Sequence, residues 1–179
     1  MDSVLLHSCC APCSISCIDA LRNEGFSVTG FWYNPNIHPF TEYRSRRNTF
    51  TEYAGAISLP VLLKDEYGLR SFLQTIDGQF DNRCESCYRT RLEETARTAA
   101  QNGFSAFTTT LLISPYQNHD LIIKVANEVS LQHGVSFMYR DFRPLFREGQ
   151  QKSRELNLYM QKYCGCIFSE EDRYCKKKK

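Results

Sequence analysis

No apolar run in this chain approaches the roughly 20 residues that a membrane helix needs, so no membrane-spanning helix is expected. The start, Met1-Asp2-Ser3-Val4-Leu5-Leu6-His7, has no charged opening followed by a long apolar stretch. No secretory leader is therefore expected, and a reducing cytoplasm is the expected compartment. Internal repeats, low-complexity linkers and composition breaks are also lacking. That predicts one domain over residues 1–175, followed by a disordered basic tail, Lys176 to Lys179. A strong overall field is missing too, since the net charge of +2 makes no case by itself for a nucleic-acid partner. The positive charge is uneven, however. Arg44, Arg46 and Arg47 form one group, Arg83, Arg89 and Arg91 a second, and Arg140, Arg143 and Arg147 a third.

What the chain has in excess is cysteine: nine in 179 residues, seven of them in three tight clusters. These are Cys9-Cys10-Ala11-Pro12-Cys13, Cys84-Glu85-Ser86-Cys87 and Cys164-Gly165-Cys166. A disulfide scaffold fits poorly, because the count is odd and vicinal or CxC thiols would compete for partners. Thiolates select zinc, copper(I) or iron–sulfur clusters. Four cysteines close a structural zinc site, but seven exceed one tetrahedral centre. A [4Fe–4S] cluster uses three or four thiolates. The rest could hold a second metal with a coordination position open to substrate. Cys17 lies one helical turn from Cys13 and reads as a packed small residue, and Cys175 reads as free.

The hydrophobic pattern alternates between short runs and helical periods. Strands are expected at Val4–His7, Val28–Tyr33, Leu59–Leu63, Ala106–Thr110 and Val135–Met138. Helices are expected at Ser14–Glu24, Thr41–Ser58, Tyr67–Ile76, Cys84–Gln101, Pro115–His133, Ser153–Lys162 and Glu170–Tyr174. This order predicts an α/β domain with a mostly parallel sheet between helical layers. Such sheets bind ligands at the carboxyl ends of their strands. The first cysteine cluster, Tyr33-Asn34-Pro35-Asn36, Thr108-Thr109-Thr110 and Asp141-Phe142-Arg143 all fall at that edge. The topology therefore predicts that the three clusters meet there.

The motifs themselves resemble the QueH epoxyqueuosine reductases. They are His7-Ser8-Cys9-Cys10-Ala11-Pro12-Cys13-Ser14, then Tyr33-Asn34-Pro35-Asn36-Ile37-His38-Pro39 with Glu42-Tyr43, then Arg83-Cys84-Glu85-Ser86-Cys87-Tyr88. Thr108 to Leu112, Asp141-Phe142-Arg143 and Tyr163-Cys164-Gly165-Cys166-Ile167-Phe168-Ser169 complete the series. The segment Phe80-Asp81-Asn82 departs from the pattern of that family, and the position of Cys13 is an aspartate in some of its members. The resemblance implies a three-layer, Rossmann-like (HUP-like) domain with its metal site at the C-terminal edge of the strands. It implies an iron–sulfur oxidoreductase that reduces epoxyqueuosine at a tRNA wobble position to queuosine. Two electrons and two protons enter, and the epoxide oxygen leaves as water. It also implies a [4Fe–4S] cluster beside a mononuclear iron, held among Cys9, Cys10, Cys13, Cys84, Cys87, Cys164 and Cys166. The partners implied are tRNA carrying epoxyqueuosine and a low-potential electron donor.

On that reading the candidate catalytic residues are His38, Tyr33, Asp141 and Tyr163, with His7 the weaker histidine candidate because it ends a buried strand. Asp141 could be a metal ligand, a general acid or a partner of Arg143, and a role supporting the ligands is favoured. Asn34 and Asn36 either hold their turn or bind substrate. Arg44, Arg46 and Arg47 are the candidate phosphate contacts. Trp32, Tyr33 and Tyr43 could stack on unpaired bases, although Trp32 on a strand reads first as core. Two rivals stand beside the reductase. An ATP-dependent tRNA-thiolation enzyme would need a glycine-rich phosphate loop, and Ser8-Cys9-Cys10-Ala11-Pro12 has no glycine. A zinc-stabilised tRNA-binding module would need only four of the cysteines.

Overall fold

Val4, Leu5 and Leu6 are wholly buried, as the middle strand of a sheet covered on both faces must be. In the computed structural model, which describes residues 2–175, they form β1 (Ser3–His7). The expected tail Lys176 to Lys179 lies outside the described residues. β1 lies between β2 (Ser27–Trp32) and β4 (Ala106–Thr109), with β3 (Val61–Leu63) and β5 (Ser136–Phe137) at the edges. The order is β3-β2-β1-β4-β5, and every pairing is parallel. β1 and β4 point their last residues, His7 and Thr109, to one edge, where chain reversal places the loops that carry the site.

Helices α1 (Ala11–Asn23), α2 (Phe40–Ala56), α3 (Leu69–Ile76), α4 (Arg83–Gln101) and α5 (His119–His133) follow the strands. α6 (Phe146–Glu155) and α7 (Ile167–Tyr174) close the described chain. Trp32 and Phe50 stack at 5.8 Å between β2 and α2, and Leu92, Ala96 and Ala99 bring α4 onto the sheet. Burying a side chain such as Phe50 contributes roughly 1.5–3 kcal/mol.

Three expected helices are corrected. The helix expected at Ser153–Lys162 ends at Glu155, because Asn157 takes a left-handed conformation, φ 52°, that stops it. It begins earlier, at Phe146, because α6 must lie close against α1. A Cβ on Gly149 would come within 3.3 Å of the Pro12 carbonyl oxygen and 3.2 Å of Ser16 Oγ. The last helix begins at Ile167 and not Glu170, because Cys166 caps it with its sulfur. α5 likewise starts at His119, where the Asn118 side chain accepts the Leu121 N–H, and not at Pro115.

Candidate metal centre

Each of the three cysteine clusters meets the N-terminus of a helix. Cys10 is the N-cap of α1 and its sulfur accepts the Cys13 N–H at 3.4 Å. Cys84 and Cys87 lie in the opening turns of α4, and Cys166 caps α7 by accepting the Ser169 N–H at 3.4 Å. Free N–H groups and the helix dipole favour negative sulfur at all three places. The sequence carried this signal in the Cys10-x-x-Cys13 and Cys166-x-x-Ser169 spacings. It was missed because cysteine is not among the usual capping residues.

Two sulfur groups result. The Sγ atoms of Cys9, Cys10 and Cys13 lie within 4.8 Å of one another, the one such ligand group among the described residues. Three sulfurs about 2.3 Å from a single ion lie roughly 4 Å apart, so this triad suits one metal ion. The second group joins Cys84 and Cys87 of α4 to Cys164 and Cys166 of the C-terminal loop. Cys87 and Cys166 pack together with Phe72 and Ile76. Burial first, then Cys164 and Cys166 as neighbours, push the Cys84 thiol up. The same causes, with Arg91 opposing them, push Cys87 to about 12. All nine cysteines are free of disulfides. Cys17 is wholly buried and outside both groups, and Cys175 is exposed.

The donors around the sulfurs fit bound metal. Thr110 Oγ1 reaches Cys9 Sγ at 3.3 Å, and Gln161 Nε2 reaches Cys10 at 3.0 Å and Cys13 at 3.5 Å. Arg91 Nη2 donates to Cys87 Sγ at 3.1 Å, and Gln117 Nε2 to Cys164 Sγ at 3.1 Å. A neutral thiol is a weak acceptor. Six of the seven clustered sulfurs collecting N–H or O–H donors is what metal-bound thiolate requires. Within the triad, hydrogen bonds from Cys10 and Cys13 hold the Cys9 thiol well below its ordinary value.

A cleft of about 570 Å³ opens onto both groups. Cys9 and Cys13 line it from the triad and Cys164 from the second group. Thr110, Gln117, Gln161 and Tyr163 complete the inner wall, and Tyr116, Lys162 and Arg173 stand at its exposed rim. The first and last clusters thus face one cleft, while the middle cluster, Cys84 and Cys87, does not line it and meets the last through the packing of Cys87 on Cys166.

The other candidates divide. Tyr163 lines the cleft, and its hydroxyl donates to the His38 carbonyl at 2.5 Å. His38 does not line it: its ring packs against Phe72 and Tyr67, and burial lowers its pKa to about 4. His38 Nδ1 accepts the Ile167 N–H at 3.2 Å and its backbone N–H donates to Gly165 O at 2.8 Å, so it fastens the Cys164–Cys166 loop. Tyr33 turns away to stack on Phe31 beneath the Lys64 ammonium. Asp141 is locked to Arg143 at 2.7 Å, which holds its carboxyl down near 2. His7 is buried between Thr109 Oγ1 at 3.0 Å and Asn34 Oδ1 at 3.1 Å, and Asn34 Nδ2 donates to Ser8 O. Both therefore brace the loop that leads into Cys9. The buried Asn36 amide has no hydrogen-bond partner among the described residues and lies beside Gly165.

The basic group on α2 is corrected in part. Arg46 is buried, paired with Glu42 at 2.7 Å, and donates to the carbonyls of Tyr163 at 2.9 Å and Cys164 at 2.8 Å. Its guanidinium is spent on the C-terminal loop and is not free for a phosphate. Arg47 pairs with Asp65 at 2.6 Å, and Arg44 is exposed over Phe40. Trp32 and Tyr43 are wholly buried, hydrogen-bonded to each other at 3.2 Å, and not available for stacking on bases.

Comparison with known proteins agrees with the motifs. A relative from Dehalococcoides mccartyi named epoxyqueuosine reductase QueH is 35% identical over 97% of this chain and 95% of its own length. One of the same name from Thermotoga maritima is 37% identical over 94% of this chain and 91% of its own. A solved structure titled as a predicted subunit of tRNA methyltransferase from Methanocaldococcus jannaschii has a TM-score of 0.59. It covers 87% of this chain and 75% of that one at 10% identity, which shows a shared α/β fold. The family model described as Epoxyqueuosine reductase QueH matches residues 4–172, and with these relatives it shows that the chain belongs to the QueH family.

Proposed function

We propose that this protein reduces epoxyqueuosine in tRNA to queuosine, using a [4Fe–4S] cluster and a separate iron. The observation that carries the reading is one cleft lined by sulfurs of both cysteine groups, Cys9 and Cys13 on one side and Cys164 on the other. The triad Cys9, Cys10 and Cys13 would hold the single iron, leaving a position open toward the cleft. Cys84, Cys87, Cys164 and Cys166 would hold the cluster. When bound, these groups supply the electrons and a Lewis acid for the epoxide oxygen.

The chain's own residues position and protonate. The cleft admits a nucleoside, and Thr110, Gln117 and Gln161 fix the sulfurs that face it. Two protons must be supplied for the oxygen to leave as water. Of the four candidate acids Tyr163 alone lines the cleft, with burial first raising its pKa so that it stays protonated. Tyr163→Phe is expected to lower turnover without changing iron content. Equal turnover would remove Tyr163 from this role.

The partner is a tRNA whose wobble base already lies in a loop, so no duplex need open. Tyr116 stands 87% exposed at the rim, edge-on to Phe146 at 6.0 Å, where an unpaired base could stack. Lys162 and Arg173 beside it, with Arg44 and Arg47 on α2, are the phosphate contacts of this reading. Tyr116→Ala should raise KM for the tRNA and leave iron unchanged.

The deciding experiment is anaerobic purification followed by turnover. The expected result is a brown, oxygen-sensitive protein with about five irons per chain and acid-labile sulfide. Given dithionite, it converts epoxyqueuosine tRNA to queuosine tRNA by mass spectrometry of the digested nucleosides. Stoichiometric zinc with no sulfide after anaerobic reconstitution would end the reading and favour the zinc-stabilised module.

A further inference from the structure

Arg91 lies on α4, one turn beyond Cys87, and is only 2% exposed. A guanidinium this deep in a protein is normally met by a carboxylate, since an uncompensated buried charge costs several kcal/mol. Arg46, the other buried arginine near the sulfurs, has Glu42 at 2.7 Å. Among the described residues Arg91 has no carboxylate within ion-pair distance. Its Nη2 donates to Cys87 Sγ at 3.1 Å and its Nε to the Cys87 carbonyl at 3.2 Å. Tyr88, with its ring 5.8 Å from the guanidinium, and Thr95 Oγ1, bonded to the Arg91 carbonyl at 2.7 Å, hold the helix turn in place.

We propose that Arg91 is the fixed positive charge of the second sulfur group, held against Cys87 to compensate the negative charge of its sulfurs and to stabilise the reduced state of the iron–sulfur group. A cluster that accepts one electron gains one negative charge. A cation held at hydrogen-bond distance from one of its ligand sulfurs favours that state and raises the potential. Arg91 is thus a positioning and charge-compensating residue, since it touches the sulfur of Cys87 and does not line the cleft. The inference rests on the reading of the cysteines as a metal–sulfur centre and is independent of the RNA substrate.

The test compares Arg91→Met, which removes the charge and keeps bulk, with Arg91→Lys, which keeps the charge and loses the fork. Loaded proteins are titrated by electron paramagnetic resonance against redox mediators. Arg91→Met should disfavour reduction by about tenfold, roughly 59 mV for a one-electron couple, and Arg91→Lys should recover most of that shift. Metal-free Arg91→Met should melt no lower than the metal-free parent, since the compensating charge arrives with the metal. A merely structural arginine would cost stability in both forms. A fully loaded Arg91→Met with less than a twofold change overturns the assignment, as does Arg91→Lys shifted as far as Arg91→Met. Should Arg91→Met take up no iron, loading of Arg91→Lys decides: full uptake supports the charge role, and none overturns it. A parent protein without iron and sulfide removes the metal–sulfur reading first, before any variant is made.

Discussion

The two cysteine groups are built by opposite means. Cys9, Cys10 and Cys13 lie within five residues of one another at the junction of β1 and α1, beneath a fully buried strand. Their arrangement is fixed by a buried strand end and the buried start of α1. Cys84, Cys87, Cys164 and Cys166 come from segments some eighty residues apart, and Cys84 and Cys164 are exposed. Their loop hangs from Arg46, His38 and the cap of α7. On the proposed reading, the difference teaches that one group is organised before metal arrives, whereas the other would be completed by metal. Binding free energy at the second group is therefore also folding free energy.

The largest effect should come from emptying each group in turn. Replacing Cys9, Cys10 and Cys13 with Ala should abolish conversion of epoxyqueuosine tRNA while brown colour and sulfide remain. Replacing Cys84, Cys87, Cys164 and Cys166 should also abolish it, but with sulfide lost and about one metal ion retained. Iron and sulfide analysis checks both, and loss of everything from either set breaks the division into two.

Chelation should separate the groups dynamically. Hydrogen exchange is expected to speed up across residues 156–175 and around 77–86 after metal removal, with little change at 9–17. Uniform change along the chain would mean that the triad is no better organised than its neighbour. Glu42→Ala should follow in size. It strips Arg46 of its carboxylate while the guanidinium stays buried beneath the 163–164 carbonyls, at a cost of about 3 kcal/mol, or roughly 9 °C in Tm. A thermal melt that moves by a degree would show that the C-terminal loop does not depend on that pair.

The smallest effects belong to the cysteines outside both groups. Cys17→Ala should cost about 1 kcal/mol through lost packing. Cys175→Ala should stay within ~0.5 kcal/mol. Both should keep the parent's iron content. Iron lost from Cys17→Ala would extend the triad by one turn of α1.

Much of this was legible in the sequence because the signals were periodic or repeated. Apolar runs such as Val4-Leu5-Leu6 announced buried strands, and alternation with helices gave the parallel sheet and its functional edge. The cysteine clusters could be read from spacing alone. What escaped depended on partners distant in sequence. Arg46 looks like the middle of a surface basic run; Glu42, one helical turn before it, was a visible partner, but only the fold brings the 163–164 carbonyls around it. Arg91 looks like one more charge on a helix, and only the fold leaves it without a carboxylate. His38 sits on a loop that seemed open, yet α3 covers its ring with Phe72. The end of α6 was misplaced because a left-handed asparagine is invisible to periodicity.

One residue between two ligands has its own consequence. Gly165 holds φ at 151°, and a Cβ there would lie 3.2 Å from Ile37 Cγ1 and 3.4 Å from Arg46 Nη1. The middle letter of the last cysteine motif is thus dictated by backbone angle and by neighbours on two other segments, and not by metal chemistry. This gives a filter for judging chains encoded in newly read genomes. A chain that keeps all seven cysteines but carries a bulky residue at this position is expected to hold the Cys164–Cys166 loop differently, which comparing its metal uptake with that of a glycine-bearing chain would show.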